Sequence, residues 1–186
     1  MTAQTITKVT NGIHLEELEK TLEALKNNPQ LGKSRFYIHN LWIDGCLNTT
    51  GITHFYCAGE YHAHPQAFRL GADEPPSLGG DETAPNPVEH LLNALAGCVT
   101  TAMVAHAAVR GIKIRQLESE IEGDIDLRGF LGLAPDVPKG FSAIRVRFKV
   151  DTDEKDTEKL KQLAQFSPVY NTLINGTSVD IQVVRK

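Results

Sequence analysis

Cysteine is scarce in this chain. Cys46, Cys57 and Cys98 are the only three in 186 residues. An odd, sparse set does not make the disulfide framework of a small secreted domain. No Cys-x-x-Cys pair occurs, so neither a thioredoxin-like motif nor a zinc ribbon has support. Basic residues are outnumbered, 19 against 23 acidic, for a net charge of −4. A broad nucleic-acid-binding face would need a basic stripe that this balance does not supply. No apolar run reaches the ~20 residues of a membrane span. Met1–His14 lacks the charged start and apolar stretch of a signal peptide. These absences make the cytoplasm the default compartment, with no nucleic acid and no membrane as partners. Internal repeats and low-complexity tracts are absent as well.

What remains is ordinary globular material, 41% hydrophobic and 23% charged. At this length one domain buries roughly 70% of its unfolded surface. Residues 1–10 alternate weakly, as a short edge strand would, and Asn11–Gly12 marks a turn. Leu15, Leu18, Leu22 and Leu25 fall at helical spacing within His14–Lys26. Phe36, Ile38 and Trp42 share one side of a strand, and Asp44–Gly45 signals a hairpin. Strands follow over Ile52–Cys57 and Glu60–Phe68. A long Gly/Pro-rich loop then spans Leu70–Pro87, of the kind that is usually functional or disordered.

Asn86-Pro87 opens the central helix. Asn86 suits the N-cap, Pro87 the first helical position and Glu89 the capping-box acid. The helix can run to Arg110, with Gly111 as its C-cap. Two strands fit each other next. Leu117, Ile121, Ile125 and Leu127 share one face, opposite Glu118, Glu120, Glu122, Asp124 and Asp126. Ile144, Val146, Phe148 and Val150 face inward, with Arg145, Arg147 and Lys149 outward. An acidic face beside a basic one favours antiparallel pairing. A helix over Glu154–Gln165, a short one from Ser167–Pro168, and a final strand through Val179, Ile181 and Val183 complete the chain. The expected class is α+β: an antiparallel sheet wrapped on a long central helix. Ala94, Cys98 and Ala102 stack on one helix stripe, small enough for two helices to meet, which suggests an intertwined homodimer.

Cys98 sits among Leu91, Ala94, Leu95, Ala102 and Ala105 on the apolar side of that helix. Free cysteine is commonly a small buried hydrophobe. A reactive thiol needs cations, a helix N-terminus or a base nearby, and mid-helix supplies none locally. The run Asn86-Pro87-Val88-Glu89-His90-Leu91-Leu92-Asn93-Ala94-Leu95-Ala96-Gly97-Cys98 resembles the central-helix signature of the OsmC-like family, which includes organic hydroperoxide resistance proteins. Ser167-Pro168-Val169 looks like its second motif. The resemblance covers roughly residues 34–184. It leaves 1–33 as an N-terminal extension with a short helix before an OsmC-like domain at 34–186.

That resemblance implies a dimer with central helices sandwiched by two sheets. It also implies thiol-peroxidase chemistry: the helix cysteine attacks a hydroperoxide, a second cysteine resolves the sulfenic acid, and an arginine and a glutamate activate the first thiolate. Three positions depart from it. Ser167 stands where the resolving cysteine would be and suits an N-cap instead. The residue after Asn-Pro is Val88, and the acid falls one place later at Glu89. Glu89 points about 180° from Cys98 around an unbroken helix, Val88 about 80°. No motif surrounds Arg35 or Arg69, the arginines considered for activation. Cys46 and Cys57 have no spacing that favours resolution.

His54, His62 and His64 with Cys57 imitate a metal site, but strand histidines on a surface are more often simply exposed. No metal and no cofactor is expected. Gly79–Gly80 lacks the lysine of a phosphate loop and reads as a turn. Two functions stand near each other. One is a one-cysteine hydroperoxide reductase acting on a small hydroperoxide, with Cys98 as nucleophile and an external thiol reductant. The other is a non-catalytic relative binding a small apolar ligand in the dimer cavity, lined by Val88, Leu91 and Leu95.

Overall fold

The computed structural model describes residues 9–185, so most of the expected edge strand at 1–10 lies outside the described residues. Val9–Thr10 (β1) and Ile13–His14 (β2) form a hairpin around Asn11–Gly12. Helix α1 follows over Leu15–Asn27, and a short 3-10 turn over Pro29–Gly32. Next come β3 (Arg35–Phe36), β4 (His39–Asp44), β5 (Leu47–Cys57) and β6 (Glu60–Ala72). Helix α2 spans Pro87–Val109 and β7 Ile114–Asp124. Then follow α3 (Leu127–Phe130), β8 (Ala143–Thr152), α4 (Thr157–Ala164) and α5 (Pro168–Asn175). The chain divides into two compact units. One contains His14–Leu91, the other Thr10–Ile13 with Leu92 onward.

In the first unit, β5 pairs with β3 and β4 along one edge and with β6 along the other, all antiparallel. The β4–β5 turn falls at Asp44–Gly45–Cys46 with Gly45 at φ +50, as the Asp-Gly signal indicates. At the β5–β6 turn Ala58 and Gly59 both take positive φ, the geometry that matches strand twist in a two-residue hairpin. Among the described residues of this unit, only Leu15 and Asp73 fall below a tenth exposed. Phe36 and Trp42 stand 77% and 71% exposed, and the buried cluster of the described residues belongs to the other unit.

The second unit holds a core. The helix stripe Leu95, Val99, Met103 and Ala107 recurs every four residues and is buried with Ile112, Leu160, Leu163 and Ala164. Leu117, Ile144, Phe148 and Val150 of the β7–β8 pair pack against it. The register sets Glu118 opposite Lys149, Glu120 opposite Arg147 and Glu122 opposite Arg145. Arg145 bonds both Glu122 and Asp124, and Lys149 bonds Glu120 at 2.6 Å. The acid–base ladder read from the sequence is therefore present. Its exposed pairs contribute little stability individually, but they agree with the register.

Four expectations are corrected. The β7 strand stops at Asp124, because the Asp126 carboxylate caps α3 at Arg128 N; Leu127 is then helical and exposed rather than on a strand face. Val146 is exposed, unlike its neighbours Ile144 and Phe148. Val179, Ile181 and Val183 belong to no strand, since nothing among the described residues pairs with their backbone. They stand 78%, 81% and 91% exposed. Finally, α2 is 23 residues and apolar enough on average to cross a membrane by length and composition. The count of consecutive apolar residues missed this because His90, Asn93, Thr100, Thr101 and His106 interrupt the run. Its Leu95–Ala107 stripe packs on protein.

Candidate functional site

The start of α2 is built as the sequence indicates. Asn86 Oδ1 accepts from Val88 N at 2.8 Å, and Asn86 N donates to Glu89 Oε2 at 2.8 Å. This is the reciprocal capping box, with two otherwise orphaned amides satisfied. Asn86 Nδ2 also donates to Glu74 Oε2 at 2.6 Å, and His90 Nε2 donates to the Gly71 carbonyl at 2.8 Å. At the other end Gly111, at φ +70, ends the helix with its N–H on the Ala108 carbonyl.

The loop before α2 is far more ordered than its composition suggests. Asp73, only 2% exposed, accepts from Glu74 N, Thr83 N and Thr83 Oγ1 at 2.8–3.0 Å. The Thr83 amide and hydroxyl hold its carboxyl below the usual range. Backbone bonds from Asp73 N to Pro85 O and from Glu82 N to Glu74 O close the loop on itself. Gly79 takes φ +83 after the turn Pro76–Leu78, which bears out the plain-turn reading of Gly79–Gly80. Sequence reasoning missed Asp73. One aspartate ten residues before a threonine carries no recognisable signal. A cleft of about 250 Å³ beside the cap is lined by Asp73, Glu82, Asn86, Val88 and Glu89. Its three carboxylates would disfavour, not stabilise, a nearby anion.

Cys98 lies one position before Val99 of the buried stripe and is half-buried. Its stripe mates at four- and seven-residue spacing are Ala94, Ala102 and the exposed Leu91. The thiol is therefore on the shoulder of the core, not within it. The other two thiols have partners: Ser34 Oγ donates to Cys57 Sγ at 3.4 Å, and Cys46 Sγ donates to the Leu78 carbonyl at 3.8 Å.

Ser167 is fully buried. Its hydroxyl oxygen accepts from Tyr170 N at 3.1 Å as the N-cap of α5, and its own N–H donates to the Ala164 carbonyl. Both departing residues thus have structural work: Glu89 closes one cap and Ser167 makes another. The second unit holds one further unforeseen cluster. The His106 ring stacks on Phe166 with centroids 4.0 Å apart, and Arg110 Nη1 donates to His106 Nδ1 at 3.2 Å. Burial, then the Arg110 charge, pushes the His106 imidazole below its ordinary pKa. The i, i+4 spacing of His106 and Arg110 was visible in the sequence; the stacking partner sixty residues on was not.

The family model for OsmC-like proteins matches residues 79–182, more than half of the chain, and the chain belongs to that family. Solved structures agree on the fold. An OsmC-like protein from Mycoplasma pneumoniae superposes with a TM-score of 0.56 at 16% identity, over 76% of this chain and 89% of that one. An OsmC-like protein of unknown function from Vibrio cholerae gives 0.54 at 13% identity, over 75% and 94%. An OsmC-like hydroperoxide resistance protein from Jannaschia reaches 0.44 at 16% identity, over 82% and 94%, too low to carry an argument. Among curated proteins there is no significant match.

Proposed function

We propose that this chain is a cytoplasmic, homodimeric, one-cysteine reductase of small organic hydroperoxides. The observation that carries the reading is the placement of Cys98 in the family's helix signature, half-exposed beside Leu91, Ala94 and Ala102. A small apolar substrate reaches such a thiol without unfolding the core. The Cys98 thiolate attacks one peroxide oxygen, the O–O bond breaks, and the departing alkoxide takes a proton to leave as alcohol. Cys98 is then a sulfenic acid. Ser167 cannot form a disulfide, so an external low-molecular-weight thiol condenses with the sulfenic acid and releases water. A second such thiol frees Cys98 and leaves as the external disulfide. The dimer is supported by apolar surface that nothing among the described residues covers: Phe36, Ile38 and Trp42 on the sheet, and Val179, Ile181 and Val183 beyond α5. The division into an N-terminal extension with a short helix at 1–33 and an OsmC-like domain at 34–186 belongs to the same proposal.

A second reading has its own observation. Glu89 and Ser167 are both committed to helix caps, which leaves Cys98 without the activating and resolving partners of the two-cysteine members. On that reading the chain binds a small apolar ligand in the dimer cavity and turns nothing over. Reduced protein mixed with an organic hydroperoxide, followed by sulfenic-acid trapping and intact mass, separates the two. Oxidation of Cys98 far faster than a free thiol, abolished in Cys98→Ser, supports the reductase. Oxidation at the free-thiol rate leaves the binder.

A further inference from the structure

The first unit has a second feature that the Cys98 reading does not use. A pocket of about 370 Å³ opens where the 3-10 turn, β3 and the tip of the β5–β6 hairpin meet. Lys33, Ser34, Arg35, Tyr37, Tyr56 and Tyr61 line it, with the Gln30 amide at its rim. Every polar group in that lining can donate a hydrogen bond, and none is a carboxylate. In a chain with more acids than bases, a pocket with two cations and no anion is a local reversal of sign. Among the described residues neither Lys33 nor Arg35 enters a salt bridge; the ion pairs elsewhere in the molecule use other cations.

The sheet register builds this pocket. Arg35 lies opposite Tyr56 and Tyr56 opposite Tyr61, so the three stand in one row across β3, β5 and β6. Tyr37, two residues beyond Arg35, brings its hydroxyl to 3.5 Å from the Tyr61 hydroxyl. Its ring stacks on His54 at 4.8 Å, and Tyr56 meets Tyr61 edge to face at 5.2 Å. The Gly59 turn packs close to Leu31, which sets the hairpin tip beside Gln30 and Lys33. Aromatic rings and hydrogen-bond donors therefore line the pocket together.

We propose that this pocket binds a small phosphate monoester, with Arg35 and Lys33 on the phosphate and the tyrosine rings against the organic body. A guanidinium offers a planar fork to phosphate oxygens, and an ammonium adds a point charge. Three phenols and a serine hydroxyl supply further donors to the oxygens that remain. Its volume is at the small end for ligand pockets and matches a compact ester. The shared hydrogen bond lowers the pKa of the Tyr37 phenol and raises that of Tyr61, so the pocket's preference for an anion rests on Lys33 and Arg35. The inference is independent of any chemistry at Cys98.

Phenyl phosphate titrated calorimetrically into the full chain at low salt is the test. Saturable binding is expected, weakened about tenfold by Arg35→Gln and by Lys33→Gln. Both side chains are exposed, so both variants should melt at the wild-type temperature. Tyr61→Phe, which keeps the ring and removes a donor, should weaken binding by a smaller factor. Inorganic phosphate should bind several-fold more weakly than the ester, because it leaves the rings untouched. Absence of saturable binding, or binding unchanged in Arg35→Gln, would overturn the site. Phosphate binding as tightly as phenyl phosphate would overturn the ester.

Discussion

Asn86 and Glu89 hold each other across the first turn of α2: the Asn86 N–H donates to the Glu89 carboxylate while the Asn86 side chain receives the Val88 N–H, both at 2.8 Å. The same carboxylate faces about 180° away from the thiol nine residues on around the helix. Asn86→Ala should therefore destabilise the protein by about 1 kcal/mol. Glu89→Gln, which can still accept the bond, should lose less. Neither change should alter the rate at which Cys98 is oxidised. Urea melts paired with thiol-oxidation rates on the same samples check this, and a collapse of oxidation rate in Glu89→Gln would return that residue to the chemistry.

Ser167 gives the matching prediction for α5. Its oxygen is buried and satisfied by Tyr170 N. Ser167→Ala leaves that amide without a partner and should cost about 1–2 kcal/mol. Peroxide turnover per folded molecule should not change, as measured in denaturant titrations beside an activity assay.

Stability should depend on pH through His106. Its folded-state pKa is depressed, by burial first and Arg110 second, so the unfolded chain binds the proton more readily. Stability is then complete above the unfolded histidine pKa, near 6.5, and falls as pH drops from there through the folded value. Protonating Nδ1 also removes the acceptor that Arg110 uses. His106→Gln should flatten that slope between neutral and mildly acidic pH. An unchanged slope in thermal melts would assign the effect to other groups.

Gly80 should tolerate no side chain. A Cβ there would overlap the carbonyl of Glu74 and crowd the Asp73 carboxylate. Gly80→Ala should loosen the loop and cost about 1–3 kcal/mol. Gly97→Ala, at a helical position with open space around it, should be neutral or stabilising. Amide exchange at Glu82 and Thr83 reads the local effect.

Where one local rule decides the outcome, the sequence was sufficient. Asn86-Pro87 and Gly111 bound the central helix because caps are chosen by nearest neighbours. The charge alternation of Glu118–Asp124 against Arg145–Lys149 anticipated a register now seen pair by pair. Where the outcome depends on a distant partner, the sequence was mute or misleading. Alternating Val179, Ile181 and Val183 satisfy the strand pattern, yet a strand exists only when another backbone accepts its bonds. Asp73 is buried by a loop that folds back through Thr83, and the Tyr37–Tyr61 pocket requires a register no short window contains. For Cys98, periodicity placed the thiol on the apolar side. It could not say that Val99, one residue on, would take the buried position.

The same exposed segment after α5 has a consequence for handling the protein. Four β-branched residues within Val179–Val184, exposed and in no strand among the described residues, resemble the stretches from which intermolecular sheets nucleate. Asp180, whose carboxylate receives the Gln182 side-chain amide, and Arg185 place charge within and just after this stretch. They act as gatekeepers against stacking of like segments. Removing either charge should lower the concentration at which the purified chain precipitates, while leaving the fold of each molecule intact.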